Sequence, residues 1–189
     1  MSGRIRITAG VFKNKTLAVP AGDSVRPTSD RARQALFNRL GHSFQNIGFK
    51  LRSARVVDLF AGTGALGLDA LSRGAAHVTF VEQSKNSLAV LKRNIYTLGV
   101  DDKVNILTAD ASALPAAARP VDLALLDPPY GLGLAEPTLA MLLNKGWLTE
   151  TAVVVVETAA TETLTAPDGL EIEDVRSYGH GALTYLIRA

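Results

Sequence analysis

The chain has 189 residues, of which 47% are hydrophobic and 20% are charged, and it contains no cysteine. This length and composition are typical of one globular domain, and the lack of cysteine excludes disulfides, a thiolate nucleophile and a cysteine-ligated zinc site. The three histidines, His42, His77 and His180, show no metal-ligand spacing, so we expect no metal. No apolar run approaches the roughly 20 residues that span a bilayer, and residues 1–6 lack the apolar stretch of a signal peptide, so we expect a cytosolic protein.

Positive charge is concentrated at the N-terminal end. Residues 1–55 contain eleven Lys and Arg against two Asp and Glu, whereas residues 56–189 contain nine against sixteen, so the formal net charge is only +2. A segregated basic arm suggests a polyanionic partner, because contacts to phosphates contribute a salt-dependent share of affinity. A solvated basic surface is the alternative, since a basic segment alone is a weak motif.

The N-terminal segment predicts a hairpin followed by a helix. Residues 4–8 and 16–19 are strand-like and are separated by a short turn region. Thr28 or Ser29 is the predicted N-cap of a helix that runs to about Leu40. The basic residues of this helix fall mainly on the faces opposite its apolar side: Arg31, Arg33 and Arg39.

From residue 54 onward, short apolar runs alternate with helical patterns. The strand-like runs are residues 55–60, 77–82, 104–110, 121–127 and 152–157. The helical patterns are residues 65–72, 85–98 and 136–143. Such alternation predicts a parallel sheet that helices cover on both faces. Because the runs are apolar throughout and do not alternate with polar residues, they predict central strands.

The chain ends differently, with two strand-like segments, residues 170–178 and 182–188, that are separated only by Gly179-His180-Gly181. This pattern predicts an antiparallel hairpin that makes the sheet mixed, whereas a dinucleotide-binding fold would more simply continue its parallel series. The sequence therefore predicts an α/β, Rossmann-like, seven-stranded mixed sheet, preceded by a small β-hairpin and a helix. We expect residues 1–53, a basic arm, to pack on residues 54–189 as one structural unit.

A glycine-rich loop, Asp58-Leu59-Phe60-Ala61-Gly62-Thr63-Gly64, lies where the first core strand turns into its helix. Gly62 and Gly64 lack side chains at a point where a ligand must approach the backbone, and the helix N-terminus offers free N–H groups. Asp58 and Phe60 join the two glycines as candidate cofactor-binding residues. Residues 62–67 also match the G-x-G-x-x-G pattern of dinucleotide-binding proteins, and a plain tight turn is a further alternative.

Acidic residues end the next two predicted strands. Glu82, twenty residues after Gly62, can accept hydrogen bonds from both hydroxyls of a ribose. Asp110 is placed to meet an adenine edge, with Ala111 supplying a backbone N–H, although an Asp at a strand end is often only a cap. These positions predict a nucleoside-containing cofactor at one edge of the sheet.

The tetrapeptide Asp127-Pro128-Pro129-Tyr130 follows the fourth core strand, at the same predicted sheet edge. Two successive prolines fix φ and remove two donors, which leaves a rigid loop that accepts hydrogen bonds. An aromatic amino group is a poor nucleophile because its lone pair is delocalised into the ring. If the Asp127 carboxylate and the Pro128 carbonyl accept hydrogen bonds from its two N–H groups, the lone pair becomes localised on the nitrogen and directed at an electrophile. Tyr130 can stack on the base, so Asp127, Pro128 and Tyr130 are the candidate catalytic residues.

With these motifs the sequence resembles class I S-adenosylmethionine-dependent methyltransferases of the amino-methylating group that carries [DNS]-Pro-Pro-[Tyr/Phe/Trp]. It resembles more closely the bacterial 16S ribosomal RNA guanine-N2 methyltransferase family. Three stretches carry the closer resemblance: residues 6–10 (Arg-Ile-Thr-Ala-Gly), residues 26–38 (Arg-Pro-Thr-Ser-Asp-Arg-Ala-Arg-Gln-Ala-Leu-Phe-Asn) and residues 58–75. With the Pro-Pro loop and the terminal hairpin, the resemblance spans nearly the whole chain.

The resemblance implies that S-adenosylmethionine occupies the glycine loop, Glu82 and Asp110, and that S-adenosylhomocysteine is the product. It implies that a guanine of small-subunit RNA enters the pocket at Asp127. The basic arm would cover the cofactor and contact the RNA through residues such as Arg4, Arg6, Arg26, Thr28 and Arg31. We expect the enzyme to act as a monomer on 16S ribosomal RNA of the small ribosomal subunit.

Three other functions fit part of the sequence. An adenine-N6 methyltransferase of DNA or RNA could use the same pocket, although 189 residues leave no obvious target-recognition domain for DNA. A nicotinamide-dependent oxidoreductase would explain residues 62–67 but not the Pro-Pro loop or the terminal hairpin. A non-catalytic RNA-binding module is supported only by the basic arm.

Overall fold

A computed structural model describes residues 5–20 and 29–189 of the chain. The strands and helices follow one another as β1 (Ile5–Arg6), β2 (Thr16–Leu17), α1 (Asp30–His42), β3 (Arg55–Leu59), α2 (Ala65–Ser72), β4 (His77–Val81), α3 (Lys85–Leu98), β5 (Val104–Leu107), β6 (Val121–Leu126), α4 (Ala135–Asn144), β7 (Leu148–Ala159), β8 (Leu170–Tyr178) and β9 (Gly181–Arg188). Within the described ranges, one seven-stranded sheet has the spatial order β5-β4-β3-β6-β7-β9-β8, and β1 pairs with β2 separately. No helix in these ranges is both long and apolar enough to cross a bilayer.

The first half of the sheet is parallel, as the apolar runs predicted. β3 lies between β4 and β6 and is parallel to both. These three strands are almost entirely buried, because helices cover both faces. β5 is instead an edge strand whose side chains are half-buried or exposed, and it ends at Leu107. The prediction of a central strand over residues 104–110 is therefore wrong in position and length, since Asn105 and Thr108 interrupt its apolar run.

The C-terminal hairpin completes the sheet and makes it mixed. β9 inserts between β7 and β8 and is antiparallel to both. β7 is longer than the predicted residues 152–157, because its first residues pair with β6 through Leu148 opposite Val121 before the register shifts. This strand order confirms the predicted fold class, a Rossmann-like class I methyltransferase sheet.

The N-terminal hairpin and helix α1 form where the sequence predicts them. β1 and β2 are antiparallel and only two residues long, with Ile5 opposite Leu17, so both are shorter than predicted. Ser29 caps α1, because its Oγ accepts the Ala32 N–H at 3.1 Å, and the helix continues to His42. The alternative cap, Thr28, lies outside the described residues.

Side chains of the arm and of the sheet share one hydrophobic cluster. Ile5 and Phe37 pack with Val56 on one face of the sheet, and a second cluster fills the other face beneath α4. This shared core supports the proposal that residues 1–53 and residues 54–189 form one structural unit.

A buried ion-pair network also joins the arm to α2. Arg33, which the helical pattern placed outside the apolar face of its helix, is only 1% exposed, so it is as buried as the apolar face itself. Its Nε lies 3.4 Å from Asp69 Oδ2, and its Nη2 donates to Asp30 Oδ1 at 2.7 Å. Asp69 is fully buried, accepts the Thr8 hydroxyl at 2.8 Å, and lies 3.4 Å from Arg73 Nε. The hairpin, α1 and α2 therefore share one carboxylate.

Candidate active site

A cavity of about 570 Å³ opens at the carboxyl ends of β3, β4 and β6, where the loops that follow these strands meet. Eight of the ten predicted catalytic and cofactor-binding residues line it: Asp58, Phe60, Gly62, Glu82, Ala111, Asp127, Pro128 and Tyr130. The carboxyl edge is where open α/β sheets bind their ligands. Gly64 and Asp110 are the two predicted residues that do not line the cavity.

Glu82 connects the glycine loop to the loop that follows β4. Its Oε2 accepts the Gly62 N–H at 2.8 Å, and its Oε1 accepts the Ser84 N–H at 2.7 Å. Each carboxylate oxygen keeps a second lone pair for a ligand hydroxyl. Gly62 has a φ of +54°, and Phe60, although not a glycine, has a φ of +63°. Glycine adopts a positive φ without cost, whereas at Phe60 it is strained and persists only because the surrounding structure enforces it.

Gly64 is a glycine for a different reason than the one predicted. Its φ is +82°, and a Cβ there would lie 2.4 Å from Leu91 Cδ1 and 3.4 Å from the Phe80 ring. The missing side chain makes room for α3 and β4 against the loop, and not for a ligand. The prediction that this glycine lets a ligand approach the backbone is therefore wrong for Gly64, whereas Gly62 does face the cavity.

Asp58 lies at the base of the cavity. It is 1% exposed, and its Oδ2 accepts the Gly67 N–H at 2.8 Å, which fixes the turn between β3 and α2. Burial raises the pKa of Asp58 well above its ordinary value, the Gly67 hydrogen bond opposes this shift, and the charges of Asp127 and Glu82 add to it. Three carboxyl groups thus face one cavity, and their mutual repulsion favours a positively charged ligand.

Replacing Asp58 with asparagine is expected to stabilise the fold by about 1–3 kcal/mol near pH 8, because it removes a buried charge while an amide oxygen can still accept the Gly67 N–H. Since the folded-state pKa is raised above 3.8, the wild type loses stability as pH rises from that value through the raised pKa. The Tm of Asp58→Asn should therefore exceed that of the wild type by an amount that grows from pH 4 to pH 8, as thermal unfolding can measure. Asp168→Asn, at an exposed turn, is the matched control, and a difference that stays constant with pH would contradict this interpretation.

Asp110 lies in the loop after β5 and is exposed. Its Oδ1 accepts both the Ser112 N–H and the Ser112 hydroxyl at 2.8 Å, and these hydrogen bonds lower the pKa of its carboxyl. These contacts form a turn at the strand end, and the next helix, α4, begins only at Ala135, so Asp110 is not the helix cap that the sequence left open as an alternative. The neighbouring Ala111 is buried and lines the cavity, so the contact of Asp110 with an adenine stays a prediction.

The Pro-Pro loop lies beside the glycine loop, and its C-terminal end is anchored to residues in and just after β7. The Tyr130 hydroxyl donates to Glu157 Oε1 at 2.9 Å, and the Gly131 N–H donates to Glu162 Oε1 at 2.6 Å. Tyr130 remains 45% exposed, so its ring is accessible to a ligand. Glu157 was not predicted as a site residue, although it ends the predicted strand 152–157, and the same strand-end rule that selected Glu82 would have found it.

Residues of the arm complete one wall of the cavity. Ile5 and Arg33 both line it, and neither was predicted there. Among the predicted RNA-binding residues, Arg6 is largely exposed and its Nε pairs with Asp30 at 2.9 Å, and Arg31 is exposed. The other predicted RNA-binding residues lie outside the described part of the chain: Arg4, Arg26 and Thr28.

Comparison with known proteins identifies the family of the chain. The family model described as "Conserved hypothetical protein 95" matches residues 5–187. A relative named "Ribosomal RNA small subunit methyltransferase D" from Escherichia coli is 37% identical over 82% of this chain and 75% of its own length. A relative of the same name from Haemophilus influenzae is 34% identical over 88% of this chain and 84% of its own length. The solved structure of an Escherichia coli protein described as a methyltransferase has a TM-score of 0.84 and 33% identity over 98% of both chains. The chain therefore belongs to the family described as Conserved hypothetical protein 95, with these small-subunit ribosomal RNA methyltransferases as its relatives.

Proposed function

We propose that this protein transfers a methyl group from S-adenosylmethionine to the exocyclic N2 of a guanine in 16S ribosomal RNA of the small subunit. The observation that carries the proposal is the position of Asp127 and Pro128 in the same cavity as the glycine loop and Glu82. This cavity therefore contains both the groups predicted to accept hydrogen bonds from an amino group and the residues predicted to bind a nucleoside. The names of the relatives support ribosomal RNA as the substrate.

The lining residues fit this cofactor. A volume of about 570 Å³ lies within the usual range of small-molecule sites. Glu82 would accept the ribose hydroxyls, Gly62 and Phe60 would border the cofactor chain, and Ala111 would lie near the adenine. When bound, the cofactor supplies a methyl group that its positively charged sulfur already activates.

The charge of the cavity favours this cofactor over a nicotinamide dinucleotide. Asp58, Glu82 and Asp127 line the cavity with Arg33, so carboxylates outnumber cations. A sulfonium and an ammonium group reduce the repulsion among these carboxylates, whereas the two phosphates of a dinucleotide add to it.

The Pro-Pro loop would orient the amino group. Asp127 and the Pro128 carbonyl accept hydrogen bonds from its two N–H groups, which directs the nitrogen lone pair into the cavity, and the Tyr130 ring holds the base.

A guanine must leave its stack to enter the cavity, at a cost of a few kcal/mol. The arm would offset part of this cost by binding phosphates through Arg6, Arg31 and the predicted residues Arg4, Arg26 and Thr28. We also propose that the protein acts as a monomer in the cytosol.

The proposal is tested by transfer of tritiated methyl groups to three substrates: free 16S ribosomal RNA, small subunits that lack the modification, and duplex DNA. We expect incorporation into RNA or subunits as N2-methylguanine after digestion. Incorporation into adenine or into DNA would instead support the adenine-N6 alternative. A Tm shift with NAD and none with S-adenosylhomocysteine would support the oxidoreductase, since saturation at 100 times Kd stabilises by about 2.7 kcal/mol.

A further inference from the structure

A second cavity lies on the same face of the sheet as α1 and α2, with a volume of about 650 Å³. It is bordered by the C-terminal end of α1, by residues 45–52 and by Arg73, which follows α2. α2 begins at the glycine loop and ends near the start of β4, where Arg55 is paired with His77. The second cavity, here called the basic groove, is therefore at the amino edge of the sheet, one helix length from the active-site cavity.

The charge of the basic groove is opposite to that of the active-site cavity. The lining residues include no aspartate or glutamate. Four of them are cationic or protonatable: His42, Lys50, Arg52 and Arg73. Lys50 and Arg52 are exposed, and among the residues described by the structure neither has a carboxylate within salt-bridge distance. An uncompensated pair of cations in a concave surface attracts an anion.

Contacts between side chains and between backbone groups hold the walls of the basic groove. The Arg73 guanidinium lies 4.8 Å from the centre of the Phe37 ring, and its Nη2 donates to the Thr8 hydroxyl at 2.8 Å. On the opposite wall, the Ser53 N–H donates to the Gly74 carbonyl at 2.8 Å, which holds residues 45–52 against the end of α2. The cations are thus attached to a fixed frame, which reduces the entropy lost when a ligand binds.

The N-terminal hairpin, which carries two exposed lysines, extends from the active-site cavity to the end of α2 beside the basic groove. Ile5, at the start of the hairpin, lines the active-site cavity, and the hairpin tip reaches the end of α2, where the Val11 N–H donates to the Ser72 carbonyl at 2.8 Å. Lys13 and Lys15 are exposed on this hairpin. α2 is eight residues long, or about 12 Å, so an RNA strand of several nucleotides can reach both cavities.

We infer that the basic groove binds backbone phosphates of the RNA substrate, at nucleotides away from the guanine that is modified. The inference rests on the proposed function, because it assumes that RNA enters the active-site cavity. A small anion would contact only the basic groove, whereas a polyanion that also enters the active-site cavity can contact Lys13 and Lys15 on the hairpin. Phosphate contacts of this kind hold the register of the RNA and do not read its sequence.

The test compares the wild type with the double variant Lys50→Gln/Arg52→Gln in binding to 16S ribosomal RNA, and in methyl transfer to free 16S RNA or to small subunits, whichever the wild type methylates. We expect RNA binding about tenfold weaker near 0.15 M salt, and a plot of log K against log[salt] that is shallower by about 1.4, or about 0.7 for each lost contact. KM should rise while kcat, Tm and S-adenosylhomocysteine affinity stay unchanged. The matched control is Arg119→Gln/Lys145→Gln, which removes two exposed cations on the α4 side and should leave all of these values unchanged.

The outcomes separate the two proposals. If the wild type methylates 16S RNA and the double variant keeps the wild-type KM and salt dependence, the inference about the basic groove is wrong and the proposed function stands. If the wild type binds 16S RNA or small subunits but transfers no methyl group to either, the proposed function fails, and the binding data alone decide the inference. If the wild type binds neither 16S RNA nor small subunits, both fail. Equal losses in the double variant and in the control would also overturn the inference, because they indicate a general charge effect.

Discussion

Methyl transfer to RNA is expected to fall by about 100- to 1000-fold or more when Asp127 is replaced by alanine, which is the typical effect of removing one preorganised hydrogen-bonding group. The side chain lines the cavity beside Glu82 and Gly62 and is the predicted acceptor of an amino hydrogen. Without it, one N–H of the base loses its partner and the lone pair is no longer directed at the cofactor. Single-turnover transfer of tritiated methyl groups to 16S RNA measures the effect.

Cofactor binding provides the control for this variant. S-adenosylhomocysteine should still raise the Tm of Asp127→Ala nearly as much as that of the wild type, since Glu82 and the glycine loop are unchanged. Asp127→Asn should keep part of the activity, because an amide oxygen can still accept a hydrogen bond. Asp168→Ala, on an exposed turn, should retain full activity. Wild-type rates in Asp127→Ala would show that Asp127 does not have the proposed role.

The second large effect is on stability, and it concerns Asp69. Its carboxylate is fully buried between Arg33 and Arg73 and also accepts the Thr8 hydroxyl. Removing one partner of a buried ion pair leaves an uncompensated charge and costs about 3–5 kcal/mol. We therefore expect Asp69→Ala to lower the Tm by roughly 6–20 °C, at about 2–4 °C for each kcal/mol in a chain of this size. Chemical denaturation gives the free energy of unfolding directly.

A double variant tests whether the ion pair itself is responsible. In Asp69→Ala/Arg33→Met the buried arginine is absent, so the loss should be smaller than the sum of the two single losses. Arg73→Met, which removes a less buried partner of Asp69, should cost less than Arg33→Met. Strictly additive losses would indicate that Asp69 and Arg33 act independently. Because Arg33 lines the active-site cavity, Asp69→Ala should also weaken S-adenosylhomocysteine binding.

The features that the sequence predicted well depend on short stretches of chain. Asp127 to Tyr130 and the glycine loop are each contiguous, and the carboxyl ends of parallel strands meet at one edge, so strand order alone brings them together. The hairpin 170–178 and 182–188 was equally local. The cap at Ser29 depends on a side chain three residues from its partner N–H.

The features that were missed depend on contacts between distant residues. Periodicity placed Arg33 on a polar face, but it could not show that Asp69, 36 residues later, would face it inside the protein. The reason for glycine at position 64 depends on Leu91, which belongs to a helix two elements further along. The early start of β7 at Leu148 was hidden because the residues that follow it are polar, and they lie in the register shift between the pairs Val121–Leu148 and Leu123–Val153.

The contact between Thr8 and Asp69 has a consequence for the order of folding during synthesis. The two residues are 61 positions apart, and the strands of the hairpin are only two residues long, so the hairpin cannot be stable on its own. The hairpin is synthesised before α2, so it must wait until α2 has emerged and packed on β3. We expect the N-terminal arm to be protected from proteases late in synthesis, after the centre of the sheet has formed.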